Sequence, residues 1–322
     1  MNESLFVPTD SNGIEHAATG GIAWQLPTGG VTSVTEVGHP LVLRRPDALL
    51  DVLDERIYRA EPLDYVEISA VGIAVVPSAR LVAATCWDTD VATRFALDCA
   101  DNILTEAGDV SLPDGTSLAN VIADARLVLD DLASDGSDRL GYLARVRALR
   151  RLRRERAEIA DLSLGLLTAD EVRDVDALDD PDYATIIPIT DSVLAAIEAL
   201  RHHLLPKAYM AIEDVREEHE EHQNPATQRP ASEPGVVVTG LGNLLFGSVF
   251  LAYEPAWTAA REAARHARLA AKDRYGAKAE TEQRAQQASL LESILEERPA
   301  RSHYPSPPRS IANLANGHIA NS

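Results

Sequence analysis

Apolar residues recur at three- and four-residue intervals over several long stretches of this chain, and that spacing predicts amphipathic helices. The clearest begins after Trp87, where Asp88 or Thr89 can cap a helix carrying Val91, Phe95, Cys99, Ile103 and Leu104 on one side. A turn at Leu112-Pro113-Asp114-Gly115 precedes a second helix from Ser117, with Leu118, Val121, Ile122, Ala125, Val128, Leu129 and Leu132 in register. Ser134-Asp135-Gly136 ends it, and a third helix is predicted from Ser137 to Ala160. Upstream, Pro46 can open a helix running to Arg59, with Leu49, Leu50, Val52, Leu53 and Ile57 on one side. Downstream, Thr168 and Glu171 form a capping-box pattern ahead of a short acidic helix through Val172, Val175 and Leu178. Asp191 starts a further stretch containing Val193, Leu194, Ile197, Leu200 and Leu204, which Pro206 kinks or breaks before it resumes to His222. Helix returns from Pro255 to Glu296, interrupted near Gly276. Its first half sets Trp257, Ala260, Ala264, Ala267 and Ala271 on one face, where small side chains let a second helix backbone come close, so this face is expected against the earlier helices.

Elsewhere the pattern is not helical. Residues 1–45 are rich in Gly, Thr and Ser, with Thr19-Gly20-Gly21 and Thr28-Gly29-Gly30 as turn signals. They predict an irregular arm with short strands near Ile22-Ala23-Trp24 and Leu41-Val42-Leu43. Tyr65 to Ala84 is rich in β-branched residues and broken by Pro77, which fits two short strands or a buried helix equally. Residues 223–234 read as a Pro-rich linker or long loop, and residues 236–251 as a β-hairpin around Gly240-Leu241-Gly242-Asn243. The tail, 298–322, lacks periodicity and is predicted to be disordered. The expected fold class is therefore mainly α: a helical bundle with a small β-hairpin and an irregular Gly-rich N-terminal arm. The domains expected are an arm over 1–45, a helical domain over 46–297 and the tail.

Composition refines this picture in three ways. The chain has 322 residues, of which 45% are hydrophobic but only 5% aromatic, so its core must rest on Ala, Leu, Val and Ile. No stretch approaches the roughly 18 uninterrupted apolar residues that span a bilayer, and Met1-Asn2-Glu3-Ser4 does not begin a secretory signal. A cytoplasmic, membrane-free protein is expected. The formal charge of −20 disfavours nucleic acid and anionic membranes and suits a basic protein partner.

Candidate chemistry is sparse. Cys86 and Cys99 have neither disulfide nor metal spacing. The paired glycines lack the Lys and Ser or Thr of a phosphate loop, and there is no Gly-x-Ser-x-Gly elbow, Rossmann glycine pattern or Cys-x-x-Cys pair. Asp131 to Tyr142 and Asp174 to Asp182 lack the oxygen ligands or the glycine of an EF-hand loop. No cofactor is implied. Two clusters stand out. Arg145, Arg147, Arg150, Arg151, Arg153, Arg154 and Arg156 form a basic helix in an acidic chain, with Arg147, Arg150, Arg151 and Arg154 projecting from its polar side. Internal pairing with the acidic residues 161–182, a partner-binding face and anion or nucleic-acid binding all fit that placement. The second cluster joins His202, His203, His219 and His222 to several glutamates. His219 and His222, with Glu218, would suit a metal, but the metalloprotease pattern wants its histidines four apart and a helix end beside Asn224-Pro225 is a poor place for rigid ligands, so a solvated charged helix end is the favoured reading.

The segment Phe95-Ala96-Leu97-Asp98-Cys99-Ala100-Asp101-Asn102-Ile103-Leu104 resembles the opening helix of a group of Ala-rich bacterial immunity proteins. The Ala/Arg-rich stretch from Ala259 to Leu295, leading into Gln287-Ala288-Ser289-Leu290-Leu291, is similar to their C-terminal helices. The resemblance covers about a quarter of the chain, and the Gly-rich arm, acidic midsection and hairpin depart from it. It implies a helical protein that acts by binding another protein, with no catalytic residues to carry over. The functional expectation is thus a non-catalytic, immunity- or adaptor-like protein that binds a basic protein partner. The alternative is an enzyme with a dispersed or metal-dependent site near His202, His203, His219 and His222.

Overall fold

The computed structural model describes residues 4–15, 22–27, 33–64, 66–108, 110–111, 117–133, 186–203 and 255–296. The first quarter of the chain builds a closed antiparallel barrel from β1 (Leu5–Thr9), β2 (Ser33–Arg44), β3 (Arg56–Pro62) and β4 (Ile73–Ala84), in the order β1-β2-β4-β3. β4 pairs with β2 from Ser33↔Leu81 to Arg44↔Ile73, and with β3 from Tyr58↔Ala84 to Pro62↔Ala79. β1 runs beside β3 from Leu5↔Ala60 to Thr9↔Arg56, and meets β2 at Phe6↔Arg44. Inside lie Leu5, Val7, Trp24, Leu41, Leu43, Tyr58, Ala60, Ala74, Val76, Ala79 and Leu81. Two of the prolines in these strands sit where the ladder is irregular. The β2–β4 register shifts between Glu36↔Ser78 and Leu41↔Val76, and Pro40 and Pro77 both fall in that irregular stretch, outside the paired positions.

This barrel overturns the expected fold class. A bundle with one small hairpin and an irregular arm does not describe a chain whose residues 5–84 close a four-stranded ring. Two physical reasons hid it. β1 is buried along its whole length, with Leu5 and Val7 inside the barrel and Phe6 turned into the helical core, so period-two alternation is absent there. The apolar spacing after Pro46 does mark one side, since Leu49, Leu50, Leu53 and Ile57 all enter the helical core. The backbone, however, makes only the single turn α1 (Pro46–Leu49) before extending into β3.

The helical body follows. Among the described residues it comprises α2 (Thr89–Ala107), α3 (Leu118–Ala133), α4 (residues 186–203), α5 (Ala256–Tyr275) and α6 (Ala277–Glu296). Asp88 caps α2 by accepting a hydrogen bond from the Val91 amide at 3.0 Å. Trp87, just ahead of it, donates its indole N–H to the Asp54 carbonyl at 2.9 Å and meets Phe95 edge-on at 5.8 Å, tying α2 to the loop before β3. α5 lies at the centre. Its buried face is Ala256, Ala259, Ala260, Ala263, Ala264, Ala267, Ala270 and Ala271, and it packs on α2, α4 and α6. Alanine permits approaches close enough for side chains to reach a neighbour's backbone: Ser192 Oγ of α4 donates to the Ala263 carbonyl at 2.9 Å. Thr93 Oγ1 of α2 reaches the Ala199 carbonyl of α4 at 3.3 Å. α5 and α6 form an antiparallel hairpin about Gly276, with Gln287 Nε2 donating to the Ala264 carbonyl at 3.0 Å and Lys272 3.4 Å from Glu280. The helical core also takes in Phe6 and Ile57 of the barrel and Leu49, Leu50 and Leu53 of the connection between β2 and β3.

The expected third helix (137–160), acidic helix (168–178), linker (223–234), hairpin (236–251) and tail (298–322) lie outside the described residues.

Candidate interaction surface

The sequence-derived candidates separate cleanly. Arg147, Arg150, Arg151, Arg154, Glu218, His219 and His222 lie outside the described residues, whereas His202 and His203 close the described part of α4. His202 stands edge-on to Trp257 of α5 with ring centroids 6.2 Å apart, and burial pulls its imidazole below the ordinary value against the opposing charge of Glu198. His203 Nε2 is 3.6 Å from Asp90 Oδ1 of α2. Both histidines therefore take part in helix-to-helix contacts. Among the described residues no group of three or more His, Cys, Asp or Glu side chains is placed to hold a metal ion. Nor is any described helix long and apolar enough to cross a membrane.

A surface that motif searching missed emerges between α2 and α3. From residue 85 to residue 133 the chain carries ten carboxylates and two arginines. Over α5 and α6, by contrast, seven Lys and Arg face six Asp and Glu. The helical spacing that buries Phe95, Cys99, Ile103, Val121, Ala125 and Leu129 turns the acidic positions of α2 and α3 outward along one antiparallel seam. Both arginines are shared there. Arg94 Nε is 3.0 Å from Asp90 Oδ2, and its Nη1 is 3.2 Å from Asp130 Oδ1. Arg126 Nη2 is 2.7 Å from Asp98 Oδ1 and 3.1 Å from Asp101 Oδ2. Burial works against the charge on Arg94, but Asp90 and then Asp130 hold its guanidinium above the ordinary value.

Two guanidinium charges thus face four carboxylates among the described residues of the seam. The outer face of α3 adds an apolar element to this field. Leu127 is 63% exposed, Ala119, Asn120, Ala123 and Asp130 are exposed with it, and Asp124 stands one turn away. In protein interfaces apolar groups exclude water while surrounding charges set encounter rate and orientation. The signal was present in the sequence as a local count of acidic against basic residues. It carries no motif, and Leu127 falls outside the buried stripe of its own helix. No family model, curated protein or solved structure matches this chain.

Proposed function

We propose that this chain is a non-catalytic interaction protein that binds a basic protein partner through the face formed by α2 and α3. The observation that carries the proposal is the sharing of two arginines among four carboxylates beside the exposed Leu127. A guanidinium divided between two carboxylates does not neutralise both, and the residual negative charge attracts an incoming Lys or Arg. The overall charge of −20 extends the attraction beyond contact distance. An immunity- or adaptor-like role, holding a basic protein in a neutral complex, is the form of binding that the resemblance of residues 95–104 and 259–295 favours.

The test is capture of partners from the native host by the purified full chain, followed by association kinetics with what is captured. The expected partner is basic, its association slows as salt rises from low to physiological concentration, and Leu127→Lys weakens the complex by at least about tenfold with an unchanged melting curve. An acidic partner, or a basic one whose binding ignores both salt and Leu127→Lys, overturns the proposal.

A further inference from the structure

Where the connection carrying α1 docks on the α5–α6 hairpin, two arginines hold one carboxylate. Arg268 Nη2 of α5 donates to Asp51 Oδ1 at 2.6 Å, and Arg284 Nη2 of α6 to Asp51 Oδ2 at 2.6 Å. Each guanidinium is also fixed by a contact that does not involve the Asp51 side chain. Arg268 Nη1 donates to Gln287 Oε1 at 3.0 Å, and Gln287 is itself anchored on the Ala264 carbonyl. Arg284 Nη2 donates to the Asp47 carbonyl at 2.7 Å. The cradle is thus held from behind. The Arg268 side chain is 7% exposed, that of Arg284 36% and that of Asp51 50%, so the carboxylate enters from the solvent side onto one buried and one part-exposed guanidinium. One turn along the same face of α6, Gln283 is 1% exposed, and among the described residues neither of its amide atoms has a hydrogen-bond partner. Its N–H groups add spare donors to that side of α6.

We infer that Arg268 and Arg284 form a preorganised carboxylate-binding cradle in which the Asp51 side chain is the resident ligand, and that a free small carboxylate occupies it once that side chain is removed. The chemistry selected is a planar monoanion that accepts one N–H from each guanidinium, which formate and acetate satisfy and chloride or acetamide does not. Without an anion, the buried Arg268 would keep its charge among apolar neighbours with Gln287 as its remaining partner.

The experiment compares thermal unfolding of the full-length Asp51→Ala protein in sodium formate, sodium acetate and sodium chloride at equal ionic strength. In chloride the melting temperature is expected to fall by about 5 °C. Formate and acetate should restore at least half of that loss with saturating dose dependence, and acetamide should restore none. Adding Arg284→Met to Asp51→Ala should abolish the rescue, and the wild-type protein should show no carboxylate-specific gain. If Asp51→Ala does not fold in plain buffer, its refolding yield in formate against chloride gives the same comparison. Equal behaviour in formate and chloride, or a formate gain as large in the wild type as in the variant, overturns the inference.

Discussion

Asp88 shows how one side chain defines the start of an element. Its carboxylate takes up the Val91 amide, one of the donors at the N-terminus of α2 that lack a partner within the helix. Asp88→Ala is expected to cost about 1 kcal/mol, measured as a lowered urea midpoint without a change in slope. Glu15 is more informative because it is buried. Its Oε1 lies 2.9 Å from Arg44 Nη1 at 0% side-chain exposure. Burial pushes its carboxyl above the ordinary 4.5; Arg44 and then Trp24 pull the other way, and Asp54 adds to the rise. A carboxyl raised on folding binds its proton more tightly in the folded chain. Its contribution to stability is therefore complete below pH 4.5 and is lost as pH rises through the folded value. Glu15→Gln removes that titration. The stability of the wild type relative to Glu15→Gln, from urea unfolding at a series of pH values, should therefore decline as pH rises above 4.5. A difference that stays level or grows contradicts this account.

At the scale of elements, the α5–α6 hairpin depends on Gly276, whose φ of 88° and ψ of 177° form a conformation open to glycine and strained for other residues. A Cβ there would meet nothing within 4 Å, so strain alone is tested. Gly276→Ala should destabilise the protein by about 1–3 kcal/mol in chemical denaturation. A neutral result would mean that the connection shifts without cost. This element also shows why some parts of the fold were legible in the sequence and others were not. α2, α3, α5 and α6 are amphipathic helices with one buried stripe each, and three- and four-residue spacing reports such a stripe directly. The strands carry a weaker signature: Ala74, Val76, Ala79 and Leu81 of β4 alternate inward, but over too short and too broken a run to exclude a buried helix. β1 is buried on both faces, and Pro40 and Pro77 interrupt β2 and β4 at a register shift that only the paired strand explains. Ile57 and Leu53 keep helical spacing while the backbone between them extends, because they fill the core shared by barrel and helices. The acidic seam was legible as a count of charges and not as a site. Arg94 and Asp130 are far apart in sequence, and only the antiparallel packing of α2 on α3 brings them together. The cradle at Asp51 was not legible at all, since its partners lie more than two hundred residues away.

At the scale of the whole molecule, the helical core joins Phe6 and Ile57 of the barrel with the buried faces of α2 through α6, so the two parts should unfold as one. Cys99 offers a reporter. It is fully buried on α2, and burial, reinforced by the nearby charge of Asp98 and opposed by Arg268, pushes its thiol far up, leaving it inert in the folded state. Labelling with a thiol-specific reagent across a urea titration should leave Cys99 unmodified until the helical circular dichroism is lost, with coincident midpoints. Modification well before that loss would show the helices opening independently of the rest. Charge is divided on the same scale. α2 and α3 carry seven carboxylates against two arginines while α5 and α6 are close to balanced, so among these helices the attraction for a cation is uneven.

Closure of the four strands has a consequence for recognition. A sheet with a free border can recruit a visiting segment through main-chain amides and carbonyls, largely indifferent to that visitor's side chains. Here each strand of the ring has a neighbour on either flank, which narrows that indiscriminate route even though β1 meets β2 at a single pair. Association at the barrel therefore leans on side chains.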